Sequence, residues 1–147
     1  MQISRSFINI LSGDLSAARK FYTEFLQLEL RFDSDWFINL GVPGNEALEL
    51  GIIKVEQEIV PPQHQQTPAG AILTLVVEDV AEVEARARAM NVTIVEGVRN
   101  LFYGQRRLLV ADPDGFLIDL SSECEPDAQW VKKVKQHEGG WYYETSD

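Results

Sequence analysis

The chain has one cysteine, Cys124, and two histidines, His64 and His137, among its 147 residues. A lone cysteine excludes an internal disulfide framework and a cysteine-rich zinc site. Two histidines, one in a proline-rich stretch and one near the end, leave little of the commonest transition-metal donor. Positive charge is also scarce. Lys and Arg number 13 against 23 Asp and Glu, giving a formal net charge of −10 and a pI near 4.6. Phosphate binding needs a Lys/Arg surplus, so nucleic acid is disfavoured as a partner. The acidity favours solubility and is compatible with a cationic ligand. No apolar run approaches the roughly 18 residues of a membrane span. The opening residues MQISRS (1–6) begin no apolar stretch either, so a cytoplasmic protein with no membrane partner is expected.

Hydrophobic residues make up 45% of the chain, enough for a core. Ser6–Leu11 (SFINIL) reads as a strand. Asp14 is a good helix N-cap, and apolar residues at 15, 18, 21, 22, 25 and 26 predict one helix over Leu15–Leu26. Leu28–Phe32, Asp35–Leu40 and Ala47–Ile53 are strand-like, with Gly41, Pro43 and Gly44-Asn45 marking a turn. Residues 56–70 hold Pro61, Pro62 and Pro68 and read as a linker. The pattern then restarts. Ala71–Val77 is a strand, Asp79 a cap, and Val80–Met90 a helix ended by Asn91. Val92–Val95, Arg106–Val110 and Phe116–Leu120 are strands, the last two joined by an Asp112-Pro113-Asp114-Gly115 turn.

The two halves align. Phe7 precedes Asp14 by seven residues, as Ile72 precedes Asp79, and Leu40–Leu50 equals Val110–Leu120 in length. Such a repeat implies that each half buries its open face against the other. The expectation is a single α+β domain over 1–147. Its two tandem βαβββ modules (4–55 and 71–122) form a curved mixed sheet around a cavity, with a linker at 56–70 and a tail at 123–147. In the tail, Asp127 should cap a helix through Lys135, ended by Gly139-Gly140. Trp141-Tyr142-Tyr143 should pack on the body, a partner or the cavity mouth.

GDLSAARKFYTEFLQLEL (13–30) resembles the opening motif of the vicinal-oxygen-chelate superfamily, and ADPDGFLIDL (111–120) resembles its closing motif. YGQRRLLVADPDG (103–115) looks especially like the glyoxalase/bleomycin-resistance branch. The resemblance covers about residues 5–122. It implies a homodimer and one of several activities: metal-dependent lyase, isomerase or transferase, ring-cleaving dioxygenase, or metal-free sequestration of bleomycin-type drugs. It also implies metal ligands at two first-strand positions, here Phe7 and Ile72, and at two last-strand positions, here Glu49 and Asp119.

Phe and Ile have no lone pair to offer a metal. The standard metal site is therefore expected to be absent, with no cofactor. A divalent ion held by Glu49 and Asp119 is the alternative. Strand alternation puts Phe7 with Asn9, Ile72 with Thr74, and Arg107 with Leu109 on faces shared with the two carboxylates. Trp36, Phe37 and Tyr103 are candidate aromatic walls. The candidate ligand-binding residues are thus Phe7, Asn9, Trp36, Glu49, Ile72, Thr74, Tyr103, Arg107 and Asp119. A carboxylate in an apolar strand must be paired or carry a raised pKa. Arg107 can neutralise one of them; otherwise a carboxylate serves as a base or holds a cationic ligand. The expected function is small-molecule binding, with a toxic compound or antibiotic as the sequestered ligand. The alternatives are a lyase, isomerase or dioxygenase using Glu49 and Asp119, and a non-catalytic interaction module.

Overall fold

Two aspartates start the two main helices. In the computed structural model, which describes residues 1–137 and 140–143 and the side chains through 134, Asp14 accepts from the Ala17 amide at 2.9 Å. Asp79 accepts from those of Ala81 and Glu82 at 2.9 and 3.4 Å. Each satisfies amides that the first helical turn leaves without partners. The first module runs β1 (Ile8–Ser12), α1 (Leu15–Lys20), β2 (Glu29–Asp33), β3 (Phe37–Val42) and β4 (Asn45–Lys54). The second runs β5 (Ile72–Val76), α2 (Val80–Ala89), β6 (Thr93–Asn100), β7 (Gln105–Ala111) and β8 (Leu117–Glu123).

Each module forms its own four-stranded mixed sheet, in the orders β1-β4-β3-β2 and β5-β8-β7-β6. The first strand of each pairs in parallel with the last, and the remaining pairs are antiparallel. The linker carries one short 3-10 turn, Pro62–His64, and is anchored by buried Val60.

The expected helix over Leu15–Leu26 is not regular throughout. After Lys20 it widens into a π turn over Phe21–Phe25, where the Leu26 amide donates to the Phe21 carbonyl at 3.2 Å. Regular spacing would swing adjacent Phe21 and Tyr22 well apart around the axis. The wider turn lets Phe21, Tyr22 and Phe25 all reach the core, with ring centroids 5.0 and 5.3 Å apart. In α2, Asn91 takes the left-handed conformation (φ 54°) that ends the helix.

One hydrophobic core spans both modules. Ile10, Leu40, Leu50 and Ile52 from the first sheet and Leu108, Val110, Ile118 and Leu120 from the second share it with the helices. Strand alternation leaves the odd-numbered residues of β1, β3, β4, β7 and β8 and the even-numbered residues of β5 on the open faces. The Asp-Pro-Asp-Gly turn fastens the modules together. Asp112 accepts from the Tyr22 hydroxyl at 2.7 Å and from the Asp114 and Phe116 amides at 2.9 Å. Asp114 takes the Ser12 hydroxyl at 2.6 Å and the Gly13 amide at 2.8 Å. Burial pushes both the Tyr22 hydroxyl and the Asp112 carboxyl above their ordinary pKa values.

One likeness between the halves stops at length, and one expectation is corrected. The equal lengths of Leu40–Leu50 and Val110–Leu120 do not carry into pairing. Leu40 pairs with Leu50, but Val110 pairs with Ile118, because β4 absorbs extra residues in a bulge beside Gly41. The tail helix starts at the Asp127 cap but covers only Ala128–Val131. It buries no residue, so nothing extends it. Val134–His137 is instead a strand, β9, paired antiparallel with β10 (Gly140–Tyr143). Gly139 and the packing of Trp141-Tyr142-Tyr143 lie outside the described residues and side chains.

Candidate ligand site

On the open face of the first sheet, Glu49 is held by neighbouring donors. It accepts from Arg5 Nε at 2.9 Å, from a terminal nitrogen of the same guanidinium, and from Asn39 Nδ2 at 2.9 Å. These donors, the Arg5 hydrogen bond foremost, hold its carboxyl below the usual glutamate range against the opposing effect of burial. The Arg5 guanidinium also lies over the Phe7 ring, 4.9 Å from its centroid. A hollow of about 470 Å³ opens here, with Phe7, Phe32 and Phe37 as aromatic walls and Arg31 at its side.

Two glycines admit neighbouring side chains onto this face. A Cβ on Gly41 would overlap the Arg31 guanidinium, which lies across the sheet and donates to the Val42 and Asn45 carbonyls at 3.1 Å. A Cβ on Gly51 would overlap the Asn9 side chain. Trp36 stacks on Phe37 at 5.6 Å but lines a separate hollow of about 260 Å³ beside Lys54 and Glu56.

The second sheet presents a different arrangement. Asp119 is 9% exposed, yet its Oδ2 accepts only a long hydrogen bond from Thr74 Oγ1, at 3.4 Å. Its Oδ1 is buried and has no partner in the protein. Burial pushes this carboxyl above the usual aspartate range, opposed by the charge of Arg107. Arg107 hydrogen-bonds neither Asp119 nor Glu49. Its Nη2 donates to Glu96 at 2.7 Å, and Arg99 donates to the same Glu96 oxygen at 2.6 Å. Arg107 Nε is buried and unpartnered as well. Around these groups Ile72, Val76 and Val95 stand more than half exposed.

The predicted residues therefore fall into separate groups. Phe7 and Glu49 share the first hollow, which does not include Asp119. Thr74, Arg107 and Asp119 form the second group, with Ile72 along the same face of β5. Asn9 faces Gly51 and edges a hollow formed with the linker. Tyr103 meets Phe102 edge-on, with ring centroids 5.3 Å apart, and Phe102 in turn contacts Trp130. Pairing also offsets the carboxylates. Asn9 stands opposite Gly51, whereas Thr74 stands opposite Asp119. Counted from Phe7 and Ile72, Asp119 thus lies two residues farther along its face than Glu49. Sequence reasoning passes over Arg5, Arg31, Asn39 and Glu96. Strand parity carries a signal for two of them, because Arg5 stands two before Phe7 and Asn39 two after Phe37.

A family model described as the Glyoxalase/Bleomycin resistance protein/Dioxygenase superfamily matches residues 5–120. The chain belongs to this superfamily. Solved structures share its fold. TnmS3, an antibiotic binding protein from a Streptomyces species, is 24% identical with a TM-score of 0.67, over 84% of this chain and 98% of that one. A superfamily member from Sphaerobacter thermophilus is 23% identical (TM-score 0.66, 80% and 94% covered). A lactoylglutathione lyase from Agrobacterium tumefaciens is 16% identical (TM-score 0.63, 83% and 95% covered). No curated protein shows significant sequence similarity to the chain.

The donor set does not fit the metal found in many glyoxalase-type proteins. Phe7 and Ile72 carry no donor atom. Glu49 is engaged by Arg5 and Asn39. Among the described residues no group of three or more His, Cys, Asp or Glu can hold an ion.

Proposed function

We propose that this superfamily member works without a metal, binding and sequestering an amphiphilic, cationic small molecule such as a toxic compound or antibiotic. The observation that carries this reading is the second open face. There a buried acceptor, Asp119 Oδ1, and a buried donor, Arg107 Nε, both lack a protein partner. Buried polar groups are almost always satisfied, so their partner comes from water or ligand. A ligand ammonium or amide supplies a donor to Asp119, and exposed Ile72, Val76 and Val95 supply the apolar floor. The antibiotic-binding description of TnmS3 supports the same reading. Calorimetry against a panel of amphiphilic cations and glycopeptides tests it. Binding that weakens about ten-fold in Asp119→Asn is expected. A panel without any binder at high protein concentration sinks the reading.

A second reading, an enzyme with Asp119 as general acid or base, is favoured by the upward push on that carboxyl. Elemental analysis after chelator-free purification tests the metal-free part of the proposal against a lyase or isomerase with a metal held by Glu49 and Asp119. Stoichiometric Ni, Zn, Mn or Fe that is lost in Glu49→Ala would overturn the metal-free proposal.

The proposal includes a cytoplasmic homodimer. Ile8, on the edge strand β1, is exposed, and a second copy would cover it. Sedimentation equilibrium should return twice the 16.6 kDa chain mass. A monomer at micromolar concentration contradicts it.

A further inference from the structure

Arg5 is the group at the first open face that the proposed function leaves unused. It sits on residues 1–7, which form no helix or strand. Its side chain is 65% exposed, while that of Glu49 is only 13% exposed. The carboxylate is thus a built acceptor. Asn39 holds one of its oxygens from within the sheet, and the guanidinium caps both oxygens from the solvent side. Phe7 gives that guanidinium an aromatic face, and Phe32 and Phe37 continue the wall away from it. The second cation nearby, Arg31, is balanced by Glu29 and Glu46 at 3.4 and 3.3 Å.

From this geometry we infer that the Glu49 subsite recognises a guanidinium or amidinium group of the ligand, with Arg5 as a tethered stand-in that the ligand displaces. The inference rests on the small-molecule-binding reading above and names the ligand group for one half of the site. A planar fork matches a carboxylate with two parallel hydrogen bonds, which an ammonium cannot reproduce. Displacement is feasible because exposed ion pairs are weak and a short flexible tether supplies only a millimolar effective concentration. The hollow of about 470 Å³ has room for an aromatic amidine against the phenylalanine wall.

The test uses benzamidine and its neutral isostere benzamide, titrated calorimetrically into the full chain, Arg5→Ala, and Arg5→Ala combined with Glu49→Gln. Removing the internal competitor should tighten benzamidine binding about five-fold and leave benzamide unchanged. The double variant should lose the preference for benzamidine. Arg5→Lys keeps the charge without the fork and should gain less than Arg5→Ala. Benzamidine binding that is unchanged or weaker in Arg5→Ala, or a preference that survives in the double variant, overturns the inference. If that happens while the cation panel still binds and still responds to Asp119→Asn, the inference falls and the proposed function stands. If the panel is silent too, both fall.

Discussion

On the open face of the first sheet, Glu49 accepts two hydrogen bonds from Arg5 and one from Asn39; on the second, Asp119 accepts one long bond from Thr74. Both carboxylates occupy the same place in a repeated sequence pattern. The repeat kept the strand and its alternation but not the neighbours. Arg107, whose charge acts on Asp119, turns its Nη2 to Glu96. Glu49 is held below its usual range and Asp119 above it. A duplicated backbone can therefore carry one carboxylate that is closed by its own chain and another that awaits a partner. Asp112 gives a reference point, because it is buried and fully satisfied by the Tyr22 hydroxyl and two amides.

The largest effect should come from making Asp112 resemble Asp119. Tyr22→Phe removes the hydroxyl that Asp112 Oδ2 accepts at 2.7 Å and leaves that oxygen buried without a side-chain donor. A hydrogen bond to a charged group of this kind contributes roughly 1.5–3 kcal/mol. Urea unfolding should show a loss of about 2 kcal/mol with an unchanged m-value. A loss within error of zero would mean that satisfaction of the seam carboxylate does not matter to stability.

The opposite change sharpens the contrast from the other side. Asp119→Asn removes a charge that the fold disfavours and keeps a group able to meet Thr74. Water at the open face screens part of the penalty, so the gain near neutral pH should be on the order of 1 kcal/mol. Asp119 has its folded pKa raised above the ordinary 3.8, so the native state holds the proton more tightly than the unfolded state. Stability of the wild type then falls as pH rises through the window from 3.8 to the raised value. The advantage of Asp119→Asn should accordingly be absent below that window and complete above it. A gain that does not change with pH would assign it to packing.

Much of the fold is legible in the chain because its signals are local. The Asp14 and Asp79 caps, the 3.6-residue spacing and the strand alternation each depend on residues within one turn or one pleat. The repeat then carries the architecture, and parity places Phe7, Glu49, Ile72, Thr74 and Asp119 on the open faces. What is not legible depends on pairing between distant segments. The bulge beside Gly41 shifts register by a choice that alternation cannot show. Arg5 reaches Glu49 across 44 positions, and Arg107 chooses Glu96 over Asp119. Side-chain partnership across strands decides which carboxylate is closed, and local pattern does not encode it. The π turn escapes for a related reason, since three aromatics compete for a core that only the folded chain defines.

The smallest effect gives the most direct comparison of the two carboxylates. Free aspartate is more acidic than free glutamate, with ordinary values of 3.8 and 4.5. In this protein the two shifts run against that order, down for Glu49 and up for Asp119. Carbon-detected NMR titration of the side-chain carboxyls should therefore find Asp119 displaced upward from its ordinary value and Glu49 displaced downward from its own. The stability linked to Glu49 has the opposite sign from that linked to Asp119. It is fully present above 4.5 and is lost as pH falls through the lowered folded value. Glu49→Gln should thus lower the unfolding midpoint slightly at neutral pH and match wild type in acid. Arg5→Ala should move the Glu49 titration back toward 4.5 and leave that of Asp119 in place, because Arg5 is the leading cause of the Glu49 shift and has no part in the other. If both resonances move together, the two faces are coupled through the core, and the independence of the two half-sites has to be given up.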